Sequence, residues 1–510
     1  MNKTNRSILN LITSVVLMIL NGVFNIVVIR KIIEVYGSDF NGLNSTATQF
    51  INILLIVEGG FTLAANVSLF EPLAVNDANR INSIIAAVNI RFKKIGFVFF
   101  ILGVFSAIGF SFFVKTELPF YVPLFTFLML VLSTTFNLVY SIKYKILFQS
   151  NQCEYLLNII SIITTILSNG FVLIAISFYV QNLVIRVIIM CCAILQGCIV
   201  AFTCKKSYKY ININTEPAFE QIHGTKDVFV QQVTGLIYSS IPILFISSFV
   251  GTKYASIYAV YNTVFVLIKG LNSSFINAPR MGLGRLIKEN KYEHSYILSV
   301  FNQYEFISIL FITCMLSVTA ALLMPFITIY TEGITDIDYT NWFIAITLIG
   351  TTFFELLHIP SGNIINMSGN FKMGRNIQFV AGAVLIVAVI IGGILFSMYG
   401  IIFAVLLTAI FLAILEIYYV HQKYFNGAWK QFFKNLILNT TIAIILVIIE
   451  ININMNLFDF FHFFLYALIL SIINSLIIFF VNMVFNKDIT VLLFKRVKST
   501  LFSLKSYMQA

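Results

Sequence analysis

Fourteen long apolar stretches fill this 510-residue chain almost end to end, and its positive charges fall on alternate connections between them. The stretches are 8–29, 43–66, 95–114, 120–142, 155–180, 183–203, 228–249, 254–276, 303–329, 340–362, 377–397, 401–420, 435–454 and 458–482. A bilayer core about 30 Å thick takes roughly 20 apolar residues per helical crossing. Backbone groups in lipid must be satisfied within the segment, so runs of this length form helices. A β-barrel would show short alternating strands instead. Hydrophobic residues make up 59% of the chain and mean hydropathy is +0.93, against about 45–50% apolar residues in soluble domains. The expected fold class is an all-α polytopic membrane protein with about 14 transmembrane helices.

With the N-terminus placed in the cytoplasm, all but five of the 32 Lys and Arg residues fall on the inner side. The exceptions are Arg30, Lys31, Lys115, Arg186 and Lys253. Such a bias, surviving every alternation, follows the positive-inside rule and places both termini in the cytoplasm. One missed helix would scramble every later loop, so the bias also supports the span count. The net charge of +11 is therefore a topology signal and implies no nucleic-acid partner. The six cysteines lie in spans or on the inner side, with no metal spacing or disulfide framework. The first apolar run is too long for a signal-peptide core and reads as a retained helix.

A repeat organises the chain. Val35-Tyr36-Gly37-Ser38-Asp39-Phe40 separates spans one and two, and Phe249-Val250-Gly251-Thr252-Lys253-Tyr254 stands in the same relation to spans seven and eight. Leu147-Phe148-Gln149-Ser150-Asn151-Gln152 ends span four, as Ile365-Asn366-Met367-Ser368-Gly369-Asn370 ends span ten, with Ser150 opposite Ser368 at a similar offset. Two six-helix lobes follow, 1–210 and 211–434, with two additional helices over 435–485 and a basic cytoplasmic tail over 486–510. Six is even, so the lobes share one orientation about an axis along the membrane normal. The tail interleaves Val491, Leu492, Phe494 and Leu501 with Lys495, Arg496, Lys498 and Lys505, and reads equally as an amphipathic helix on the inner leaflet or a solvated segment.

Three stretches carry a family resemblance: Tyr36-Gly37 through Gly42-Leu43, Val57-Glu58-Gly59-Gly60-Phe61, and Ser68-Leu69-Phe70-Glu71-Pro72-Leu73-Ala74. Leu147–Tyr155 adds a fourth. With the fourteen-helix layout, the chain resembles polysaccharide and teichoic-acid flippases (Wzx-like) of the multidrug/oligosaccharidyl-lipid/polysaccharide exporter superfamily. The resemblance implies a two-lobed, MATE/MurJ-like transporter whose central cavity opens alternately to each side. Its substrate would be an undecaprenyl-diphosphate-linked oligosaccharide, moved from the inner to the outer leaflet of a bacterial cytoplasmic membrane, with polysaccharide assembly proteins as partners. Lipid II flippases of the superfamily carry arginines just before the Glu-Gly motif. Here that stretch is Ile53-Leu54-Leu55-Ile56-Val57, without a basic residue.

Holding a diphosphate at bilayer depth calls for cations, and an ionisable residue at a helix centre costs roughly 2.5–3.5 kcal/mol on insertion scales. Lys269, in the inner half of span eight, is the first candidate for a diphosphate contact, against the plainer reading that it snorkels to the inner headgroups. Arg30 and Arg186, in the outer half, would contact the diphosphate before release or anchor the outer interface. Glu58 in span two and Glu355 in span ten also map to the inner half. Each would pair with Lys269 or titrate as a proton or Na⁺ site that resets the transporter. Glu58 also has a structural reading, the Glu-Gly-Gly stretch fixing helix packing. Glu355 and His358 stand at i, i+3 on one helix face, half of a metal motif that nothing completes. Glu305 and Glu416 map near the inner boundary, where solvated carboxylates are ordinary. Polar residues such as Asn44, Gln49, Asn66, Asn137 and Asn277 would meet sugar hydroxyls or bond helix to helix.

The expected function is lipid-linked oligosaccharide flipping, with no cofactor and no catalysis. The alternative is a multidrug/cation antiporter of the same superfamily, which usually has twelve spans. A polytopic glycan polymerase or ligase would need a sizeable outer loop, and the longest here, about Tyr330–Tyr339, is too short to build an active site.

Overall fold

The computed structural model describes residues 3–222, 225–277, 279–289, 293–453 and 459–492. Among these residues there are helices and no strands: α1 (Lys3–Leu54), α2 (Phe61–Ala74), α3 (Ala78–Phe113), α4 (Tyr121–Phe136), α5 (Ile142–Ser150), α6 (Glu154–Ser177), α7 (Asn182–Ser207), α8 (Thr225–Phe245), α9 (Thr252–Asn277), α10 (Arg280–Glu289), α11 (His294–Tyr330), α12 (Trp342–Leu357), α13 (Ile359–Met367), α14 (Phe371–Tyr418), α15 (Lys430–Ile451) and α16 (Phe460–Phe485). Eleven helical stretches are long and apolar enough to cross a bilayer. Two of them, Leu9–Glu58 and Lys372–Tyr424, are broken inside by non-helical residues, Gly37 (φ 83°) and Ser397 (φ 57°). Counting each broken stretch as two crossings and adding the shorter apolar helix Gly235–Val250 gives the fourteen expected. The chain is a multi-pass membrane protein, and large apolar side chains such as Phe105, Phe112, Ile394 and Phe461 stand exposed on its helices, as lipid contact requires.

The repeat is visible in the backbone. Gly37 breaks α1 with φ 83° and ψ 165°, and Gly251 separates the π-helical end of α8 from α9 with φ 143° and ψ 162°. A side chain is disfavoured at both positive φ values, which is why glycine recurs. The second pair recurs with a one-residue correction. After α5, amides of Asn151, Gln152 and Cys153 donate to carbonyls of Leu147, Gln149 and Phe148; after α13, amides of Ser368, Gly369 and Asn370 donate to Ile364, Asn366 and Ile365. The left-handed residue is Gln152 (φ 56°) in one and Gly369 (φ 84°) in the other, so Ser150 corresponds to Met367 rather than to Ser368. The helix-ending turn sets the register, not the identity of the serines.

Packing divides the chain into two units. The first comprises the chain up to Thr263 with 333–337 and 389–401. In it α1 lies along α6 and α8, α3 along α4, and α6 along α7, around a core that includes Phe40, Leu43, Phe92, Phe127 and Phe148. The second comprises Val264–Glu332, Asp338–Ala388 and the chain from Ile402 on. Its central element is α11, which packs against α12, α15 and α16. Buried asparagines tie the last two helices in: Asn474 of α16 donates to Ser317 of α11 at 3.0 Å, and Asn482 donates to Asn439 of α15 at 2.7 Å.

Several expected boundaries shift. The second crossing ends at Glu58 instead of continuing to 66, because Gly59 and Gly60 both adopt left-handed φ (62° and 71°) and α2 starts afresh. Segments 67–94 and 277–302, which separate the expected spans, hold α2, the first turns of α3, α10 and the start of α11. Asp77 begins α3 by accepting from the amides of Asn79 and Arg80, satisfying donors the helix leaves open. The expected tail lies outside the described residues from 493 on.

Candidate functional site

Lys269 of α9 and Glu355 of α12 form an ion pair at 3.1 Å in the second unit, their side chains 33% and 14% exposed. Of the two carboxylates considered as partners for Lys269, Glu355 is the one paired with it. The helix carrying Glu355 ends at Leu357 because Pro360 follows. Proline lacks an amide donor and is at home in a helix's first turn, so the chain turns at His358 and α13 begins. His358 is therefore a junction residue instead of a member of a continuous helix face with Glu355. Its Nδ1 lies 2.9 Å from Glu416 Oε2 on α14, while Glu355 is near enough to act on the ring electrostatically. Glu416 is 2% exposed and lies against Gly362, where a Cβ would stand 2.7 Å from its carboxylate oxygen.

Lys269, Glu355, His358 and Glu416 thus form one acid–base set on α9, α12, the α12–α13 junction and α14, with Glu416 buried and the other three partly exposed. Two carboxylates and one ammonium leave a single negative charge. The ammonium is placed so that it can exchange its carboxylate partner for another anion. Among the described residues no group of three or more His, Cys, Asp or Glu side chains is placed to hold a metal ion.

Glu416 overturns its expected role as a solvated boundary residue, and Glu305 does the same. Glu305 of α11 meets His421 Nε2 at 3.0 Å, with the two side chains 2% and 0% exposed. His421 Nδ1 faces the Ala428 carbonyl at 2.9 Å, and a carbonyl only accepts, so Nδ1 carries a proton. Phe301, Trp429 and Phe432 surround the ring. This second pair ties the turn after α14 to α11.

The remaining candidates belong to the first unit. Arg186 at the start of α7 is 8% exposed and donates through Nε to Asn44 Oδ1 at 2.5 Å, so it is packed against α1 rather than anchored at an open interface. Arg30 is half-buried on the first arm of α1. Glu58 accepts from the Thr62 amide at 3.2 Å, capping α2 across the double glycine. That geometry matches its structural reading.

Asp39 was not singled out from the sequence and proves to be a hub. It is 6% exposed and accepts from the Thr116 hydroxyl at 2.9 Å, the Glu117 amide at 2.8 Å and the Thr252 hydroxyl. Ser38 beside it donates to Asp336 from both amide and hydroxyl (2.7 and 2.8 Å). Lys253 pairs with Glu117 at 2.7 Å, and the Thr252 amide donates to the Lys115 carbonyl at 3.0 Å. The turns that begin the second and eighth crossings are laced together through residues 113–118 and the 333–337 segment. Gly42 makes this approach possible, since a Cβ there would overlap the Thr252 carbonyl. Position after the repeated glycine was the only sequence signal for Asp39.

Many of the polar residues proposed for sugar contact hold helices together. Gln49 accepts from Ser240 at 2.9 Å, Asn66 from Ser150 at 2.9 Å, and Asn277 from Asn363 at 2.9 Å.

Helix order, the paired glycine breaks and the terminal helix pair define a fold, the one seen in the MurJ and MATE structures. Solved structures show it. The chain is similar to the lipid II flippase MurJ in an inward closed conformation, with a TM-score of 0.69 and 16% identity over 94% of this chain and 99% of that one. It is similar to the MATE multidrug transporter DinF-BH in complex with R6G, at a TM-score of 0.55 and 14% identity over 82% and 96% of the two chains. It is also similar to an inward-facing multidrug resistance MATE family transporter of the MOP superfamily (TM-score 0.53, 13% identity, 82% and 95% covered). No protein-family model and no curated protein matches the sequence.

Proposed function

We propose that the protein is a flippase that moves an undecaprenyl-diphosphate-linked oligosaccharide from the inner to the outer leaflet of a bacterial cytoplasmic membrane by alternating access. The glycan would serve surface polysaccharide or teichoic-acid assembly, and both termini would be cytoplasmic. The observation that carries this reading is the Lys269–Glu355 pair, a cation in an apolar helix held by a carboxylate that stands beside the His358–Glu416 contact. A diphosphate can replace Glu355 at the ammonium, and a proton on the set makes that exchange less costly. The fold supports the reading through its fourteen crossings, which the flippase branch shares. In this cycle the Asp39 network is the outer seal, and it opens when Lys269 hands its anion outward. Proton or Na⁺ coupling through Glu355 and His358 belongs to the same proposal.

The test is export of lipid-linked glycan in cells expressing the full chain. Lys269→Ala should abolish export with the protein still inserted, and Lys269→Arg should retain part of it. Normal export by the Ala variant would end the diphosphate role. Unchanged transport after collapse of the ion gradients would remove the coupling. The antiporter alternative draws on the same acid–base set and the MATE neighbours; efflux of cationic dyes without any effect on glycan export would favour it.

A further inference from the structure

The basic end of the first unit contains a second cationic cluster, separate from Lys269. Lys143 at the start of α5 is 5% exposed, and its Nζ donates to Asn89 Oδ1 of α3 at 2.6 Å. The same ammonium stands 5.3 Å from the Tyr144 ring centre and 5.9 Å from that of Tyr140. Lys205, near the end of α7, places its own ammonium 5.9 Å from the Tyr144 ring. Lys93 of α3 is close enough to act on Lys143 electrostatically, as Lys205 does. Two ammonium groups, from α5 and α7, therefore share one buried tyrosine ring, and Lys93 of α3 adds a third positive charge to the surroundings of Lys143. Among the described residues no carboxylate forms an ion pair with any of them.

This arrangement is unfavourable by itself. Burying an ammonium costs several kcal/mol, and a cation–π contact returns only about 0.5–2 kcal/mol. One Asn oxygen satisfies one of the three ammonium protons of Lys143. The repulsion among the three lysines adds to the deficit. An anion with several acceptor oxygens removes it, accepting from two or three ammonium groups at once. Positive-inside bias accounts for exposed lysines such as Lys206 and Lys209. It does not account for a buried one sharing an aromatic ring with a second cation.

We propose that Lys143 and Lys205, which share the Tyr144 ring, form with Lys93 beside Lys143 a phosphate-binding site at the inner-headgroup level of the first unit. The ligand chemistry is a phosphate group, carried by a bilayer phospholipid, by a prenyl diphosphate, or free in the cytoplasm. The site does not depend on the transport reading, because Lys269 and its partners take no part in it.

The experiment uses the purified full chain and three probes: undecaprenyl diphosphate and phosphatidylglycerol, read by native mass spectrometry, and inorganic diphosphate, read by titration calorimetry. The variants are Lys143→Gln/Lys205→Gln and, as a control of equal charge loss at the same end, Lys206→Gln/Lys209→Gln. Wild type is expected to bind at least one probe. The first pair should weaken binding tenfold or more and the control less than threefold, with Lys143→Arg keeping it. The probe affected identifies the source of the phosphate. If Lys143→Gln prevents folding, Lys205→Gln alone carries the comparison. Equal losses in the two pairs, no loss in either, or no binding of any probe by wild type would overturn the site.

Discussion

Glu416 presents its carboxylate to His358 Nδ1 at 2.9 Å and rests against Gly362, so a glutamate at an apparently solvated helix end is sealed inside the second unit. Removing one partner of such a buried pair leaves the other uncompensated, which costs roughly 3–5 kcal/mol. Glu416→Ala should therefore lower the midpoint of thermal unfolding sharply. Glu416→Gln, which keeps an acceptor for the ring, should lower it much less. Gly362→Ala forces a methyl toward the carboxylate and should resemble the Ala variant in direction. Equal midpoints for Glu416→Ala and Glu416→Gln would mean that the pair contributes only packing.

The approach of α1 to the start of α9 depends on Gly42. Gly42→Ala places a Cβ on the Thr252 carbonyl. Overpacking of this kind costs about 1–3 kcal/mol. The variant should loosen the Asp39 hub, and a cysteine at Ser38 should become reactive toward a membrane-impermeant thiol reagent added outside. The Ser38→Cys protein without the Gly42 change should react slowly. Identical labelling rates would show that the two turns part without help from this contact.

Gln152 occupies the left-handed position that glycine holds at 369. A side chain there costs roughly 1–2 kcal/mol, partly offset by the entropy glycine loses on folding. Gln152→Gly should be neutral to stabilising, by up to about 1 kcal/mol, whereas Gly369→Gln should destabilise. The measurement is a paired thermal unfolding series. Stabilisation by Gly369→Gln would break the proposed equivalence of the two turns.

Asn439 and Asn482 face each other at zero exposure, bonded at 2.7 Å. Interhelical hydrogen bonds in membranes average about 0.6 kcal/mol. Asn482→Leu strands its partner, and the double Leu variant strands neither side chain. A double-mutant cycle on unfolding free energy should therefore give a coupling of about 0.6–1.7 kcal/mol. Strict additivity would show that α15 and α16 are held by packing alone.

The crossings and the repeat were legible because each is written locally. Hydropathy over one segment decides whether that segment can cross lipid, and Gly37 and Gly251 each serve a turn made by their immediate neighbours. Lys269 stood out for the same reason, as a charge inside an apolar run. Glu305, Glu416 and Asp39 did not, since nothing adjacent in sequence marks them as buried. Glu416 finds His358 from 58 positions away, and Asp39 finds Thr252 from 213. Glu58 and Arg186 sit where expected along the chain, yet their partners, Thr62 across a glycine pair and Asn44 on α1, were not marked in the sequence.

By itself the sequence determined a fourteen-crossing membrane protein and the recurring glycine turns that break its helices, because bilayer thickness and glycine conformation act on contiguous residues. Only the tertiary structure decided which ionisable groups are sealed from water and which partner each one has. Burial of a charge is a property of what the other helices place against it. For that reason the pairing of Lys269 with Glu355, the His358–Glu416 contact behind it, and the two lysines sharing the Tyr144 ring emerged only once the helices were packed.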